Sequence, residues 1–165
     1  MKTIVIGSPG AGKSTFARKL ASKTGLPLFY LDMIFHRPDK TTVSPEEFDQ
    51  KLNDIMHLPD WIIDGNYLRT LPLRFAHCDQ VFFFDLPTDV CLQGAASRIG
   101  TKRDDIPWVE EEFDADFKQY IIDFPQDQLP VIYRLIEEYK EGKDIVTFHT
   151  REAADAYIAL LKGRD

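Results

Sequence analysis

The sequence is poor in the features that mark secreted, metal-clustered or membrane-bound proteins. Cysteine occurs twice in 165 residues, at Cys78 and Cys91. Two thiols at that spacing make neither a disulfide scaffold nor a metal cluster, and both read as buried reduced thiols. The four histidines, His36, His57, His77 and His149, lack metal-ligand spacing and read as structural. No apolar run reaches the length of a membrane span; the best, Val81 to Phe84, stops at Asp85. The stretch ahead of Gly7 is too short for a signal-peptide core, so a soluble cytoplasmic protein is expected. Positive charge is also scarce: 20 Lys and Arg face 27 Asp and Glu, for a formal net charge of −7. Gripping duplex nucleic acid requires surplus cations against phosphate, so nucleic acid is not an expected partner. A small anion in a local basic pocket is compatible with that balance. No repeat, linker or low-complexity tract is visible.

What is present is a pattern of short buried strands and amphipathic helices. Hydrophobic residues make up 44% and charged residues 28%, in the range of one globular domain, taken as 1–165. Ile4-Val5-Ile6, Leu28 to Leu31, Trp61-Ile62-Ile63, Val81 to Phe84 and Ile145 to Phe148 read as strands without period-2 alternation. Between them, helices are expected from Ser14 with Phe16, Ala17, Leu20 and Ala21 inward, and from the Ser44-Pro45-Glu46-Glu47 cap with Phe48, Leu52 and Ile55 inward. Further helices are expected from a Thr88 cap through Ile99, from Pro130 with Val131, Leu135, Ile136 and Tyr139 inward, and from a Thr150 cap with Ala154, Ile158 and Leu161 inward. Gly25 and Gly142 offer left-handed stops. Strands of this kind alternating with helices imply a parallel sheet covered on both faces. One stretch departs from the pattern: 100–124 is highly charged, with seven acidic residues from Asp104 to Asp116. It reads as a solvated helical excursion, or as a mobile flap.

The segment Gly7-Ser8-Pro9-Gly10-Ala11-Gly12-Lys13-Ser14 matches G-x-x-x-x-G-K-[ST], the phosphate-binding P-loop, with a strand before it and a helix after it. Its glycines admit backbone conformations closed to other residues, and successive N–H groups plus the helix N-terminus form an anion nest. Lys13 is placed to reach the β- and γ-phosphates of a nucleotide, and the Ser14 hydroxyl to ligate Mg²⁺. In open α/β sheets, ligands sit beyond the carboxyl ends of the strands. Asp32, Asp64 and Asp85 each follow a strand there, although Asp85-Leu86-Pro87 also suits a turn cap. Phosphoryl transfer needs cations around the moving group. Arg69 and Arg74 follow the third strand; Arg98, Lys102 and Arg103 lead into the charged excursion, as in a lid closing on phosphates. Phe35 and Tyr67 suit either an acceptor pocket or the core, and Trp61 and Trp108 suit core and flap packing.

Taken together, the P-loop with Thr15, Leu31-Asp32, Trp61-Ile62-Ile63-Asp64-Gly65-Asn66-Tyr67, Phe84-Asp85-Leu86-Pro87 and Arg98 resemble the adenylate-kinase-like P-loop proteins known as DNA topology modulation proteins. The resemblance spans most of residues 1–100 and is weaker beyond. It implies a three-layer P-loop NTPase fold, with a five-stranded parallel sheet in the order 2-3-1-4-5 and a small helical lid. It also implies that Asp64 helps hold Mg²⁺ through water and that Asp32 stands on the acceptor side. Arg98 and Arg103 would act as lid arginines, and Arg74, or in its place Arg69, would grip an acceptor phosphate. The stretch 33–42 is short and carries no adenine, shikimate or gluconate signature, so the acceptor stays open.

Two functions follow. The first is an ATP- and Mg²⁺-dependent phosphotransferase acting on a small acceptor, a nucleoside monophosphate or a small metabolite. Here the loop 7–15 holds ATP, Ser14 and Asp64 serve the metal, Lys13, Asp32, Arg98 and Arg103 are catalytic, and Asp32, Asp64, Arg69 and Arg74 meet the acceptor. The second is a non-catalytic nucleotide-binding module acting on DNA or a protein partner. Charge balance disfavours the second.

Overall fold

A computed structural model describes residues 1–163; the last two positions of the expected domain, 164 and 165, lie outside the described residues. Five strands, β1 (Lys2–Gly7), β2 (Leu28–Tyr30), β3 (Trp61–Asp64), β4 (Gln80–Phe84) and β5 (Asp144–Phe148), form one parallel sheet in the order β2-β3-β1-β4-β5. This is the expected order, and it puts β1, with the P-loop at its end, in the middle. Successive residues of the central strands enter opposite cores. Ile4, Ile6, Trp61, Ile63, Val81 and Phe83 pack on one face, while Val5, Ile62, Phe82 and Phe84 pack on the other. Both faces are apolar because helices cover both, which is why no polar–apolar alternation marks these strands.

The first core is closed by α2 (Leu31–Phe35), α3 (Pro45–Met56), α4 (Leu71–His77) and α7 (Leu129–Tyr139). The second is closed by α1 (Lys13–Thr24), α5 (Thr88–Ser97) and α8 (Arg151–Leu160), joined by Ile121 of α6 (Ala115–Asp127). Local signals mark several ends. Ser44 Oγ accepts from the Glu47 N–H at 3.1 Å and Thr150 Oγ1 from the Ala153 N–H at 3.1 Å, each satisfying an otherwise orphaned donor. The Gly25 N–H closes α1 on the Ala21 carbonyl at 2.8 Å.

Several expectations need correction. The helix after β4 ends at Ser97 rather than Ile99, and Pro87 occupies its cap position, so Thr88 is its first residue and not its cap. In α3 it is Met56, with Phe48 and Leu52, that is buried. In α7 the buried set is Leu129, Ile132 and Leu135; Val131, Ile136 and Tyr139 are partly buried against the same core. The charged excursion divides. Residues 98–114 contain no helix, so the expected helical lid is irregular there. The helix that follows, α6, is no solvated element, since it buries Ile121 and Phe124. Short α2 and α4 were not foreseen. Both cysteines are buried and free, and Trp61 is fully buried. Among the described residues no helix is long and apolar enough to cross a membrane.

Candidate active site

The P-loop turns between the end of β1 and the start of α1, and its tip rests on α5. Gly10 has φ 76°, and a Cβ there would lie 2.2 Å from the Cys91 carbonyl oxygen. Glycine is therefore required both for the left-handed backbone and for the close approach. Arg151 of α8 donates to the Gly10 carbonyl at 2.8 Å, fixing the tip from the second core.

Two cavities flank the loop. The first, of 410 Å³, is lined by Pro9, Gly10, Lys13 and Ser14 of the loop, by Asp32 and Asp64, and by Arg98 and Arg103 from the α5–α6 segment. Tyr30, Tyr67, Phe117, Tyr120 and Gln128 also line it. The second, of 340 Å³, shares Gly10, Ser14 and Arg98 with the first and adds Gly12, Thr15, Gln93 and Arg151. Gly7, Ser8 and Ala11 lie buried behind the loop. The structure thus brings Lys13, Ser14, Asp32, Asp64, Arg98 and Arg103 around one space.

The floor of that space is the segment after β3, where each side chain grips a different part. Asp64 Oδ2 accepts from Ser14 Oγ at 2.7 Å. Gly65, at φ 142°, presses against Leu31; a Cβ there would stand 2.9 Å from the Leu31 Cβ. Asn66 clamps the end of β1, accepting from the Gly7 N–H at 2.9 Å and donating to the Gly7 carbonyl at 2.8 Å. The Tyr67 hydroxyl donates to Asp32 Oδ1 at 2.6 Å. Burial, with the Asp32 charge beside it, holds the Tyr67 hydroxyl protonated far above its ordinary range.

Arg74 explains how this segment holds its shape. It is fully buried and spends its guanidinium on backbone, donating to the carbonyls of Gly65 at 2.8 Å, of Asn66, and of Tyr67 at 3.2 Å. Burial lowers its pKa to about 9. Arg74 is therefore not brought to the cavity. Arg69 is not either: it is exposed and forks onto Asp49 at 2.7 and 3.0 Å. Asp85 lies elsewhere too, accepting from the Tyr133 hydroxyl, with His149 Nδ1 3.0 Å from its backbone carbonyl oxygen. His36 packs edge-on to Trp108, with ring centroids 5.1 Å apart, in the irregular segment.

The electrostatics fit a site built for anions and a cation. Burial lowers the pKa of Lys13, although Asp64 opposes the shift. Burial raises Asp64 to about 6 in spite of Lys13 and the Ser14 hydrogen bond. Asp64 Oδ1 and Arg98 Nε are buried without a hydrogen-bond partner among the described residues. Among those residues no group of three or more His, Cys, Asp or Glu is placed to hold a metal alone. Ser14 and the orphaned oxygen of Asp64 nevertheless suit a hard cation that arrives with nucleotide phosphates. Asn66 and Asp105, the latter 3.2 Å from Ser14 Oγ through Oδ2, were not singled out from sequence. Asn66 stands inside the quoted segment, but its clamp depends on a strand 59 residues away.

Solved structures share this architecture. A shikimate kinase from Acinetobacter baumannii, in complex with shikimate, aligns over 97% of this chain and 92% of its own, with a TM-score of 0.58 and 19% identity. A shikimate kinase from Bacteroides thetaiotaomicron aligns over 95% and 93%, with a TM-score of 0.55 and 16% identity. The chain has a P-loop kinase-like fold. In sequence, the adenylate kinase of Thermotoga neapolitana is 30% identical over 86 residues, 50% of this chain. The match spans 37% of that relative's length. No family model matches the chain.

Proposed function

We propose that this protein is a Mg·ATP-dependent phosphotransferase that moves the γ-phosphoryl group of ATP to a small acceptor. The observation that carries the reading is the meeting of three parts in one cavity: the P-loop with Lys13, the Ser14–Asp64 pair, and Asp32 with Arg98 and Arg103 opposite. The backbone nest and Lys13 bind the β- and γ-phosphates, and the second cavity, with Arg151 and Gln93, takes the nucleoside end. Ser14 and Asp64 would hold Mg²⁺, which when bound neutralises charge between the β- and γ-phosphates. Arg98 and Arg103 meet the charge spread over the transferred group. Catalysis of this kind is mostly positioning and electrostatic stabilisation.

The acceptor enters against Asp32. Tyr67 occupies Oδ1, and no other hydrogen bond reaches the Asp32 side chain among the described residues. For a hydroxyl acceptor, the acceptor oxygen bonds to the γ-phosphorus, the bond to the β–γ bridging oxygen breaks, the hydroxyl proton passes to Asp32, and ADP leaves. A phosphate acceptor needs no base, and Asp32 then only orients. With Arg74 committed to backbone carbonyls and Arg69 to Asp49, neither arginine after β3 is available to the acceptor, while Lys40 and His36 share a further cavity with Asp32 and Arg103. The likeness to adenylate-kinase-like DNA topology modulation proteins is part of this reading. Of the segments that carry it, Asp64, Gly65, Asn66 and Tyr67 line the cavity.

The test is ADP production from Mg·ATP with nucleoside monophosphates, shikimate, gluconate or no acceptor, in wild type and Lys13→Ala. Removing a charged donor aimed at the transferred group costs roughly 10²–10³ in turnover. Acceptor-dependent ADP that vanishes in a normally folded Lys13→Ala variant is the expected result. Unaltered activity in that variant refutes the assignment.

A further inference from the structure

The irregular segment between α5 and α6 reaches the foot of the P-loop through one carboxylate. Asp105 is only 5% exposed, between exposed Asp104 and buried Ile106. Its Oδ2 stands 3.2 Å from Ser14 Oγ, the same atom that donates to Asp64 Oδ2 at 2.7 Å. One hydroxyl carries one proton, so Ser14 satisfies only one of the two carboxylates at a time. The second independent sign is Asp64 Oδ1, an oxygen of a side chain that lines the cavity, buried with no partner among the described residues. Two buried carboxylates facing one hydroxyl, one of them with an orphaned oxygen, make a hard oxygen donor set.

Building on the phosphotransferase reading, we propose that Asp105 is a lid-borne ligand, direct or through water, of the divalent cation that Ser14 and Asp64 serve. The cation thereby ties the 98–114 segment to the P-loop. Arg103 now neutralises Asp105, donating to Oδ1 from Nε at 3.0 Å and to Oδ2 from Nη2 at 2.7 Å, and also pairs with Glu110 at 2.6 Å. A cation drawing on Oδ2 competes with Nη2 for that oxygen. Cation binding and the freeing of Arg103 toward a phosphoryl group are then one event. Arg103 alone does not account for the arrangement, because its bonds to Asp105 require no approach to Ser14.

Mn²⁺ is the probe. It is titrated into the full chain with the non-hydrolysable analogue AMP-PNP, free Mn²⁺ is read by electron paramagnetic resonance, and Trp108 fluorescence is followed in parallel. Asp105→Asn is expected to weaken Mn²⁺ binding fivefold or more and to remove the metal-dependent Trp108 change. AMP-PNP binding in EDTA should stay within twofold, and Asp105→Glu should recover part of the metal affinity. Arg103→Gln, which removes the partner but keeps the carboxylate, should hold Mn²⁺ within fivefold of wild type. Less than a fivefold loss in Asp105→Asn, or an equal loss in Arg103→Gln, overturns the inference. If Asp64→Asn still loses Mn²⁺ in either case, the phosphotransferase reading survives. Wild type that binds no Mn²⁺ beyond that held by free AMP-PNP overturns both.

Discussion

Asp64→Asn should stabilise the protein while disabling it, and the size of the gain depends on pH. Asp64 is 5% exposed, and burial raises its carboxyl from 3.8 to about 6. The folded state therefore binds this proton more tightly than the unfolded state. Its contribution to stability is fully present below about pH 4 and is lost as pH rises to about 6. At about 1.4 kcal/mol per pH unit, the ionised carboxylate costs about 3 kcal/mol at neutral pH. Lys13 and the Ser14 hydrogen bond are already included in that shift, and they do not offset the burial. The amide variant has no charge to desolvate and still accepts from Ser14. Urea unfolding of both proteins without nucleotide or metal, from pH 4 to 7.5, measures the effect. The variant should gain up to about 3 kcal/mol relative to wild type across that window, roughly 6–12 °C in Tm for a chain of this size. A stability difference that stays flat with pH would refute the reasoning. A wild-type site that sacrifices stability for a charge is a common signature of function over fold.

Three further substitutions test the roles of the arginines after β3. Arg74→Met leaves the carbonyls of Gly65, Asn66 and Tyr67 without their buried donor, and should cost about 3–5 kcal/mol of stability, read as a lower urea midpoint at unchanged m-value. Arg74→Lys should recover little, because a single ammonium cannot span three carbonyls as the planar fork does. Arg69→Ala breaks only an exposed, solvent-screened pair with Asp49, and should leave acceptor-dependent ADP production within twofold of wild type.

Much of the fold was legible because its signals are local. Five short strands, the Ser44 and Thr150 caps and the Gly25 stop are each written in a few adjacent residues, and the structure has them. α6 was hidden because its charged positions dominate composition, whereas its place depends on Ile121 and Phe124 finding a core made by distant strands. α4 was hidden because seven residues are too few for a clear period. Within the site, spacing pointed to Asp32 and Asp64, but could not tell Arg74 from Arg69, since both lie just beyond the same strand.

The sequence by itself determined the P-loop, the central strand that carries it and the parallel sheet around it. These depend on contiguous residues: a loop whose backbone binds the anion needs only its own glycines and the helix it begins. Only the tertiary structure decided which side chains share the cavity. It took Arg74 into the protein to hold three carbonyls, left Arg69 on the surface, turned Asp85 toward Tyr133, and carried Asp105 from an acidic, solvated stretch onto Ser14. Each outcome rests on which partner a charged group finds once water is excluded. That partner lies up to 91 positions away in the chain, beyond the reach of any local pattern.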